Sequence, residues 1–294
     1  MCTSAFADSV FIYFLCTFMS LYITSLNSGS NGNCYYIGND DEAVLVDAGI
    51  SCRETERRMI SRNLSMKKVK AIFISHEHID HVRGLAGLAS KYSLPVYVTE
   101  NTKAGCYHLN ASAAVSFSAY QPVSIGSLNI TAFPKFHDAA DPHSFIIEGN
   151  GVTIGVFTDI GQPCDHLRAH FQKCDAAFLE ANYDDEMLEN GRYPYFLKNR
   201  IRGGHGHLSN KQALEIFTQH RSPSLSHLLL SHLSKDNNNP ELVKNLFQKN
   251  AINTEIIVAS RYEASAVYLV QRNEFAVQRA AAIRSLKLTQ ASLF

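Results

Sequence analysis

The feature that most constrains this chain is a buried strand that runs directly into a crowd of metal-capable side chains. Residues 69–75 read VKAIFIS, a nearly continuous apolar run that is typical of a strand buried on both faces. The next six residues, 76–81, read HEHIDH and hold three imidazoles and two carboxylates. A rigid strand would hold these ligands at its end, where sites form in α/β proteins. The junction predicts an α/β fold built around a metal site.

The spacing within HEHIDH divides its side chains into two groups. Alternate side chains of an extended segment share a face, so His76 and His78 can hold one cation. Asp80 and His81 are adjacent, so they project differently and can serve a neighbouring second cation. Imidazole together with carboxylate suits zinc, manganese or iron. The H-E-x-x-H pattern of zinc proteases is absent, because Ile79 and Asp80 follow His78.

Strand-like segments come in two batches, and each batch is accompanied by helices. Short β-rich runs are separated by turn signals such as SGSNG and NDDE. In the second batch Ser209 and Gln212 form a capping box, and Asn239 with Pro240 is typical of a helix start. Two such batches predict an α/β protein with two mixed β-sheets flanked by helices, an αββα sandwich of two similar halves.

Composition narrows the function classes. Hydrophobic residues make up 46% of the 294 residues, which is enough for a substantial core. Lys+Arg and Asp+Glu both number 27, and this neutrality argues against a basic nucleic-acid coat. It does not argue against a nucleic-acid enzyme, because a metal site brings its own positive charge. Seven cysteines, an odd number at wide spacings without C-x-x-C, indicate reduced thiols and a cytoplasmic location.

The HEHIDH run fits the H-x-H-x-D-H signature of the metallo-β-lactamase superfamily. The resemblance extends over most of residues 20–265, through LNSGSNGNCYYI, LVDAGIS, FHDAADP, GVFTDIG, LEANYD, YPYFLKNRIRGGHGHLSN and LSHLS with NNNPE. Together these segments resemble the YycJ/WalJ-type branch, which implies 5′-to-3′ exonuclease activity on DNA. In DPHSF the chain departs from the family, because His143 and Ser144 stand where a small apolar residue and glycine are usual.

The two ends of the chain are expected to lie outside the folded body. Residues 10–23 are apolar but shorter than the ~20 residues that span a bilayer, and no basic residue precedes them as in a secretory signal. We therefore expect residues 1–18 to be an N-terminal extension, with Met19 as the start that the resemblance favours. Residues 19–270 would form the metallo-β-lactamase-type domain and residues 271–294 a C-terminal tail, without membrane contact.

The resemblance implies seven ligands for two divalent cations. One metal would be held by His76, His78 and His137, the other by Asp80, His81 and His232, with Asp159 bridging the two. Asp47, at the end of AVLVD, resembles a carboxylate that orients a ligand histidine. The cations expected are Mn²⁺ or Zn²⁺, with Fe²⁺ also compatible, because such ligand sets accept several metals.

Glu180 and His207 resemble a proton-donating pair of related phosphodiesterases. His207 also precedes a capped helix, at an entrance where anions bind. With Asp80 they are the predicted catalytic residues. A hydroxide that bridges the metals would attack a phosphodiester, and His207 would protonate the leaving alkoxide. The roles of His143 and His205 remain unassigned.

Two segments are candidates for substrate binding. SGSNGN, residues 28–33, includes Ser30 and Asn33 and offers backbone N–H groups as an anion nest. GRYPYFLKNRIRGG, residues 191–204, carries Arg200 and Arg202 among aromatic residues, which suits single-stranded ends. A solvated loop is an equally good interpretation of this second segment.

The predicted function is a dinuclear metal-dependent phosphodiesterase that acts as a 5′-to-3′ DNA exonuclease, with DNA as its partner. An RNA-processing nuclease and a small-molecule cyclic phosphodiesterase are alternatives on the same site. A thioester or lactone hydrolase would leave Glu180 and His207 without a role. Diiron oxygen reductases of this fold are expected to carry a carboxylate at the position of His78, so that residue argues against them. The oligomeric state stays open.

Overall fold

Two sheets carry the fold in the computed structural model, which describes residues 20–273 and Gln278. Six strands open the first sheet: β1 (Ser20–Asn27), β2 (Cys34–Gly38), β3 (Ala43–Val46), β4 (Val69–Phe73), β5 (Val96–Tyr97) and β6 (Ala114–Val115). The second sheet contains β7 (Val123–Ile125), β8 (Leu128–Pro134), β9 (His143–Gly149), β10 (Val152–Phe157), β11 (Ala176–Glu180), β12 (His227–Ser231) and β13 (Glu255–Val258). The chain then returns to the first sheet as β14 (Tyr268–Gln271), so each described sheet has seven strands.

Both sheets are mixed, and their parallel strands end at the same side of the molecule. In the first sheet, β14-β1-β2-β3 pair antiparallel and β3-β4-β5-β6 pair parallel. In the second, β13-β12-β11-β10 are parallel and β10-β9-β8-β7 antiparallel. The register sets Val46 beside Phe73 and Glu180 beside Ser231. The loops that follow these residues therefore start at a common edge, where ligands bind in open α/β sheets.

Helices cover the outer face of each sheet. Beside the first sheet are α1 (Cys52–Ser61), α2 (Ile79–Val82), α3 (Leu85–Tyr92) and α4 (Glu100–Ala104), with short 3₁₀ turns at Met66–Lys68 and Ala111–Ala113. The second half contains α5 (Asp165–Phe171), α6 (Asp185–Asn190), α7 (Tyr195–Arg202), α8 (Asn210–His220) and α9 (Pro240–Gln248). The predicted capping box begins α8, and the Asn239 side chain caps α9 ahead of Pro240.

Three apolar layers hold these elements together. Between the sheets, Tyr35 packs against Phe178 at a ring-centroid distance of 4.8 Å, and Phe73 packs against Phe145 at 5.8 Å. Outside the first sheet, α1 and α3 cover residues that include Ile72. Outside the second sheet, α5, α8 and α9 cover the apolar residues on its outer face. Burying each of these large side chains contributes about 1.5–3 kcal/mol. The αββα sandwich predicted from the sequence is confirmed.

The structure contains helices in two segments that the sequence analysis left without an assigned element. After HEHIDH, α2 and α3 are separated at Gly84, because the chain there passes close to the backbone of the turn at Ile50. Residues 191–204 contain α7, a helix that the sequence analysis did not assign. The predicted extension, residues 1–18, and all but four residues of the predicted tail lie outside the described residues. In the described residues, we find no helix with the length and hydropathy required of a membrane span.

Two turns hold the HEHIDH segment in place through their backbones. The turn after β3 donates from Ala48 N to His81 O over 2.7 Å, and its Ala48 O accepts from Gly84 N over 2.7 Å. Asn33 N donates to Asp80 O over 2.7 Å, and Gly49 N donates to Asn33 O over 2.8 Å. An added Cβ on Gly49 would lie 1.6 Å from Asp80 O. The turn after β3 can approach the backbone of the HEHIDH segment this closely only because residue 49 is glycine.

Replacing Gly49 with alanine tests this close approach. One turn must move, so we expect the free energy of unfolding to fall by about 3 kcal/mol, measured by urea denaturation followed by circular dichroism. Gly87→Ala is the matched control, because Gly87 is exposed on α3 and its added Cβ meets no atom closer than 3.4 Å. Alanine there should add up to ~1 kcal/mol of stability. Wild-type stability for Gly49→Ala would contradict the packing.

Candidate metal centre and active site

Strand ends from both sheets deliver the predicted site residues to one place. Asp47 follows β3, the HEHIDH segment follows β4, Asp159 lies just beyond β10, and His232 follows β12. The backbones of Asp47, Asp159 and His232 have φ values of 62°, 53° and 55°. Such left-handed conformations are uncommon for residues other than glycine and cluster at functional sites. The chain therefore turns sharply at three of the residues that the sequence analysis had selected.

Three imidazoles form the first metal-capable group. His76 Nε2 lies 3.1 Å from His78 Nδ1, and that nitrogen lies 3.3 Å from His137 Nε2. Burial holds the pKa of His76 well below its usual value and lowers the pKa of His137 to about 4. His137 Nδ1 donates to Gly206 O over 3.0 Å, which leaves Nε2 with its lone pair toward the other two rings. Converging lone pairs suit a cation at their centre.

Asp80, His81 and His232 form the second group. Asp80 Oδ2 lies 3.5 Å from His81 Nε2 and 3.4 Å from His232 Nε2. Burial opposes the charge on Asp80, yet His81 and His232 lower its pKa to about 2. Burial also opposes the charge on His232, but Asp159 and the neighbouring carboxylates raise its pKa to about 10. This environment stabilises positive charge, and a divalent cation can take the place of the imidazole protons.

Asp159 lies between the two groups. Its Oδ2 is 3.1 Å from His81 Nε2, and its Oδ1 is 3.9 Å from His137 Nε2. The side chain is 2% exposed, and Oδ2 makes no hydrogen bond of acceptable geometry within the described residues. An unsatisfied buried carboxylate oxygen is costly unless an ion satisfies it. The donor set and this oxygen therefore fit divalent cations, with Asp159 in the bridging position.

Asp47 fixes the orientation of His81. Its Oδ2 lies 2.7 Å from His81 Nδ1 and accepts from Ser75 Oγ over 2.9 Å, while its Oδ1 accepts from Ser75 N over 2.8 Å. A carboxylate at Nδ1 holds the proton on that nitrogen and leaves Nε2 free as a ligand atom. This contact is of the kind that the sequence analysis assigned to Asp47.

Glu180 contacts two histidines through one carboxylate oxygen. Its Oε1 lies 2.8 Å from His207 Nδ1 and 3.1 Å from His232 Nδ1. Its Oε2 accepts from the backbone N–H groups of Ile160 and Leu208 over 2.7 and 3.0 Å. Burial opposes ionisation of Glu180, but His207 and the hydrogen bonds to both imidazoles lower its pKa to about 2. The contact with His232 was not foreseen, and it links the predicted proton donor to the second metal-capable group.

Asn33 is placed differently from an exposed anion-binding residue. It is fully buried, and its Nδ2 donates to Asp80 Oδ2 over 3.2 Å and lies 3.0 Å from His81 Nε2. Its Oδ1 accepts from Tyr35 Oη over 3.1 Å. The Asn33 side chain therefore helps to hold Asp80 and His81 of the second metal-capable group in position. Ser30, the other residue predicted on this loop, is exposed at the surface.

Ser28 and Tyr35 are two further site residues that the sequence analysis missed. Ser28 Oγ accepts from His232 N over 2.7 Å and lies 2.8 Å from Tyr35 Oη. The direction of these bonds makes Ser28 the donor to Tyr35 and Tyr35 the donor to Asn33. The sequence gives no signal for this relay, because a tyrosine in an apolar strand is typical of any core.

The arginines predicted to bind substrate are engaged with carboxylates. Arg200 Nε donates to Asp138 Oδ2 over 2.6 Å, and Arg202 Nη1 donates to Glu189 Oε2 over 2.8 Å. Asp138 follows His137, so the ion pair ties α7 to the loop that carries a metal-capable histidine. These carboxylates offset part of the positive charge that the two guanidinium groups could offer to a phosphate.

Three other polar residues near the site have structural contacts. His143 Nδ1 donates to Asp141 O over 2.9 Å, and its ring packs on Phe117. His205 is exposed and meets Phe136 edge-on. Lys135 was missed: it is buried, burial lowers its pKa, and its Nζ donates to Thr158 O over 2.7 Å. This last bond holds the strand end from which Asp159 projects.

Comparison with known proteins agrees with this architecture. A family model described as a beta-lactamase superfamily domain matches residues 42–233. The chain belongs to the metallo-β-lactamase superfamily. Within it, the chain is 36% identical over 230 residues to exodeoxyribonuclease YycJ of Bacillus anthracis, which covers 77% of this chain and 87% of the relative. It is 32% identical over 223 residues to exodeoxyribonuclease WalJ of Streptococcus pneumoniae, which covers 74% and 83%.

A solved metallo-β-lactamase fold protein, YhfI from Bacillus subtilis, superposes with a TM-score of 0.67 at 18% identity. The superposition covers 85% of this chain and 99% of that one, and it supports the fold. The predicted metallo-β-lactamase fold and the predicted YycJ/WalJ-type branch are both confirmed.

Asp47→Asn tests whether this carboxylate prepares His81 for a metal. Asparagine tolerates the left-handed backbone at this position, but its amide would donate to His81 Nδ1 and favour the wrong tautomer. We expect metal affinity to fall by about 10- to 100-fold, measured by chelator competition with elemental analysis. Asp40→Asn is the control, because the Asp40 side chain is 60% exposed and 4.0 Å from Lys68. Equal affinity in both variants would refute the orienting role.

Proposed function

We propose that the protein is a dinuclear metal-dependent phosphodiesterase that degrades DNA from its 5′ end. Its fold and family make it a hydrolase. One observation carries the proposal: a carboxylate–imidazole pair, Glu180 with His207, borders two metal-capable groups joined by Asp159. Two relatives of most of the chain are named exodeoxyribonucleases, which supports DNA as the substrate. The 5′-to-3′ direction rests on the sequence resemblance.

The proposed metal ligands are the two groups described above. Two divalent cations, manganese or zinc with iron also compatible, would acidify a bound water and offset charge on phosphoryl oxygens. His76, His78 and His137 would hold one cation, and Asp80, His81 and His232 the other, with Asp159 bridging them. Asp80 and Asp159 also bring negative charge that balances the cations. The proteins that carry out phosphodiester hydrolysis in this way need no serine or cysteine nucleophile.

His207 is proposed to protonate the leaving oxygen. Its Nδ1 is held at 2.8 Å by Glu180, which leaves Nε2 as the atom that can face a substrate. The side chain is 22% exposed, whereas Glu180 is fully buried, so the imidazole is the member of the pair that solvent and substrate reach. The Glu180 carboxylate, whose pKa is lowered to about 2, orients the imidazole through Nδ1, so Nε2 would carry the proton to the leaving oxygen. Because an alkoxide leaves poorly without protonation, this step supports a phosphodiester substrate.

The proposed activity is tested by digestion with the purified protein and Mn²⁺. Duplex and single-stranded DNA labelled at the 5′ or the 3′ end, matched RNA, and bis-p-nitrophenyl phosphate are offered in parallel. We expect single labelled mononucleotides or short products to appear first from 5′-labelled DNA, and EDTA to abolish turnover. Preferential cleavage of RNA would favour an RNA-processing nuclease. Turnover of the small ester alone would refute the nuclease function.

His207→Ala separates proton donation from metal binding. We expect hydrolysis of DNA to slow by about 10²- to 10⁴-fold, while bis-p-nitrophenyl phosphate is far less affected because p-nitrophenolate leaves without a proton. The comparison uses kcat for both substrates at constant metal content. His205→Ala is the matched control, because His205 is two residues away and exposed. Equal slowing of both substrates by His207→Ala would exclude the acid role.

A further inference from the structure

A cavity of about 230 Å³ opens beside the second metal-capable group. Its floor includes the apolar residues Leu233 and Val258, and its rim includes Lys235, Arg261 and Tyr262. We name these five residues the lateral groove. Leu233 directly follows His232 in the chain, so the groove begins where the second metal-capable group ends.

Backbone contacts fix the lateral groove to the site. Ser28, whose Oγ accepts from His232 N, also lines the cavity, and Ser28 N donates to Ser260 O over 3.1 Å. Arg261 Nη2 donates to Leu233 O over 2.6 Å. The buried Arg58 of α1 donates to Tyr262 O over 2.9 Å and so holds the backbone that carries the tyrosine. A ligand in the groove would thus be positioned relative to the metal ligands by well-tethered loops.

The cations of the groove differ from the two α7 arginines in having no carboxylate partner. Within the described part of the chain, neither Lys235 nor Arg261 forms an ion pair, whereas Arg200 and Arg202 each form one. The nearby carboxylate of Asp236 accepts from Tyr193 Oη over 3.0 Å. An unpaired cation binds a phosphate without first breaking an ion pair, so the groove is the better place for a backbone phosphate.

A third cation extends this positive surface. Arg83 is exposed, and its Nη1 donates to Asn31 O over 2.9 Å, while Asn31 Nδ2 donates to Arg261 O over 2.9 Å. The loop of residues 28–33 therefore lies between Arg83 and Arg261. A phosphodiester backbone that crosses this loop would meet a cation on each side of it.

The aromatic and apolar residues of the groove suit a base. Tyr262 is 71% exposed at the rim, and an exposed aromatic face beside cations is the arrangement on which single-stranded nucleic acid stacks. Leu233 and Val258 offer an apolar floor beneath it. A free phosphate or a small cyclic diester would leave this surface unused.

We propose that the lateral groove binds a single DNA strand next to the scissile phosphate, with a backbone phosphate at Lys235 and Arg261 and a base against Tyr262. The inference rests on the proposed function and assigns the strand a path over the 28–33 loop instead of along α7. In this proposal Lys235 and Arg261, and not Arg200 and Arg202, are the main phosphate contacts.

Lys235→Ala and Tyr262→Ala test the proposal, because both side chains are exposed. Arg261 is unsuitable, since it also holds Leu233 O. The measured quantity is kcat/KM for a single-stranded oligonucleotide divided by kcat/KM for bis-p-nitrophenyl phosphate, which is too short to fill the groove. We expect each variant to lower this ratio about tenfold. For Lys235→Ala the slope of log KM against log salt concentration should also fall by about 0.7.

Lys249→Ala is the matched control. Pro240, at the start of α9, lines the cavity, whereas Lys249 is exposed at the C-terminal end of the same helix. It should leave the ratio and the salt slope at their wild-type values. Wild-type protein that degrades DNA, combined with unchanged ratios in both groove variants, would overturn the lateral groove alone. Wild-type protein that hydrolyses only bis-p-nitrophenyl phosphate would overturn the proposed function and the groove together.

Discussion

The site depends on the burial of four carboxylates in one small volume. Asp47, Asp159 and Glu180 are almost completely buried, and the side chain of Asp80 is 16% exposed. Carboxylates this close repel each other and lose hydration. The free-energy cost is offset only where positive charge or N–H donors face each of them. Imidazoles supply that charge here, and His81 alone contacts three of the four carboxylates. The same arrangement that makes the metal-free site costly suits the binding of divalent cations.

This charge balance also explains why the two sheets cannot be treated as independent units. The first sheet supplies His81 and its partners, the second supplies His232, and the contacts between them run through buried polar atoms. Ser28 accepts from the backbone of His232, and the bonds continue through Tyr35 to Asn33. Removing one member would leave a buried donor or acceptor unsatisfied, at a cost of about 1–3 kcal/mol. The geometry of the site therefore depends on the correct alignment of the two sheets.

Much of this could be predicted from the sequence, because the HEHIDH segment follows a strand whose apolar character is unmistakable. Asp159 and His232 each follow a strand, but neither residue alone indicates a metal ligand. Only the family resemblance identifies them as candidates. The contacts of Asn33 and Tyr35 were out of reach, since both depend on how distant strands align. The same limit applies to Arg200: its sequence neighbourhood is basic and aromatic, yet the fold brings Asp138 to it. The local sequence shows which charged side chains are present, whereas the tertiary structure determines which partners they meet.

The distribution of partners, more than the number of charges, decides where an anionic polymer can bind. The chain is neutral as a whole, with 27 basic and 27 acidic residues, so attraction for DNA must come from local imbalance. On α7, Arg200 and Arg202 are each paired with a carboxylate. Around the 28–33 loop they bind backbone carbonyl oxygens instead, as Arg83 and Arg261 do, and such contacts orient a guanidinium without cancelling its charge. A strand drawn to that surface would arrive beside His232, where the proposed cations and His207 would meet its phosphate.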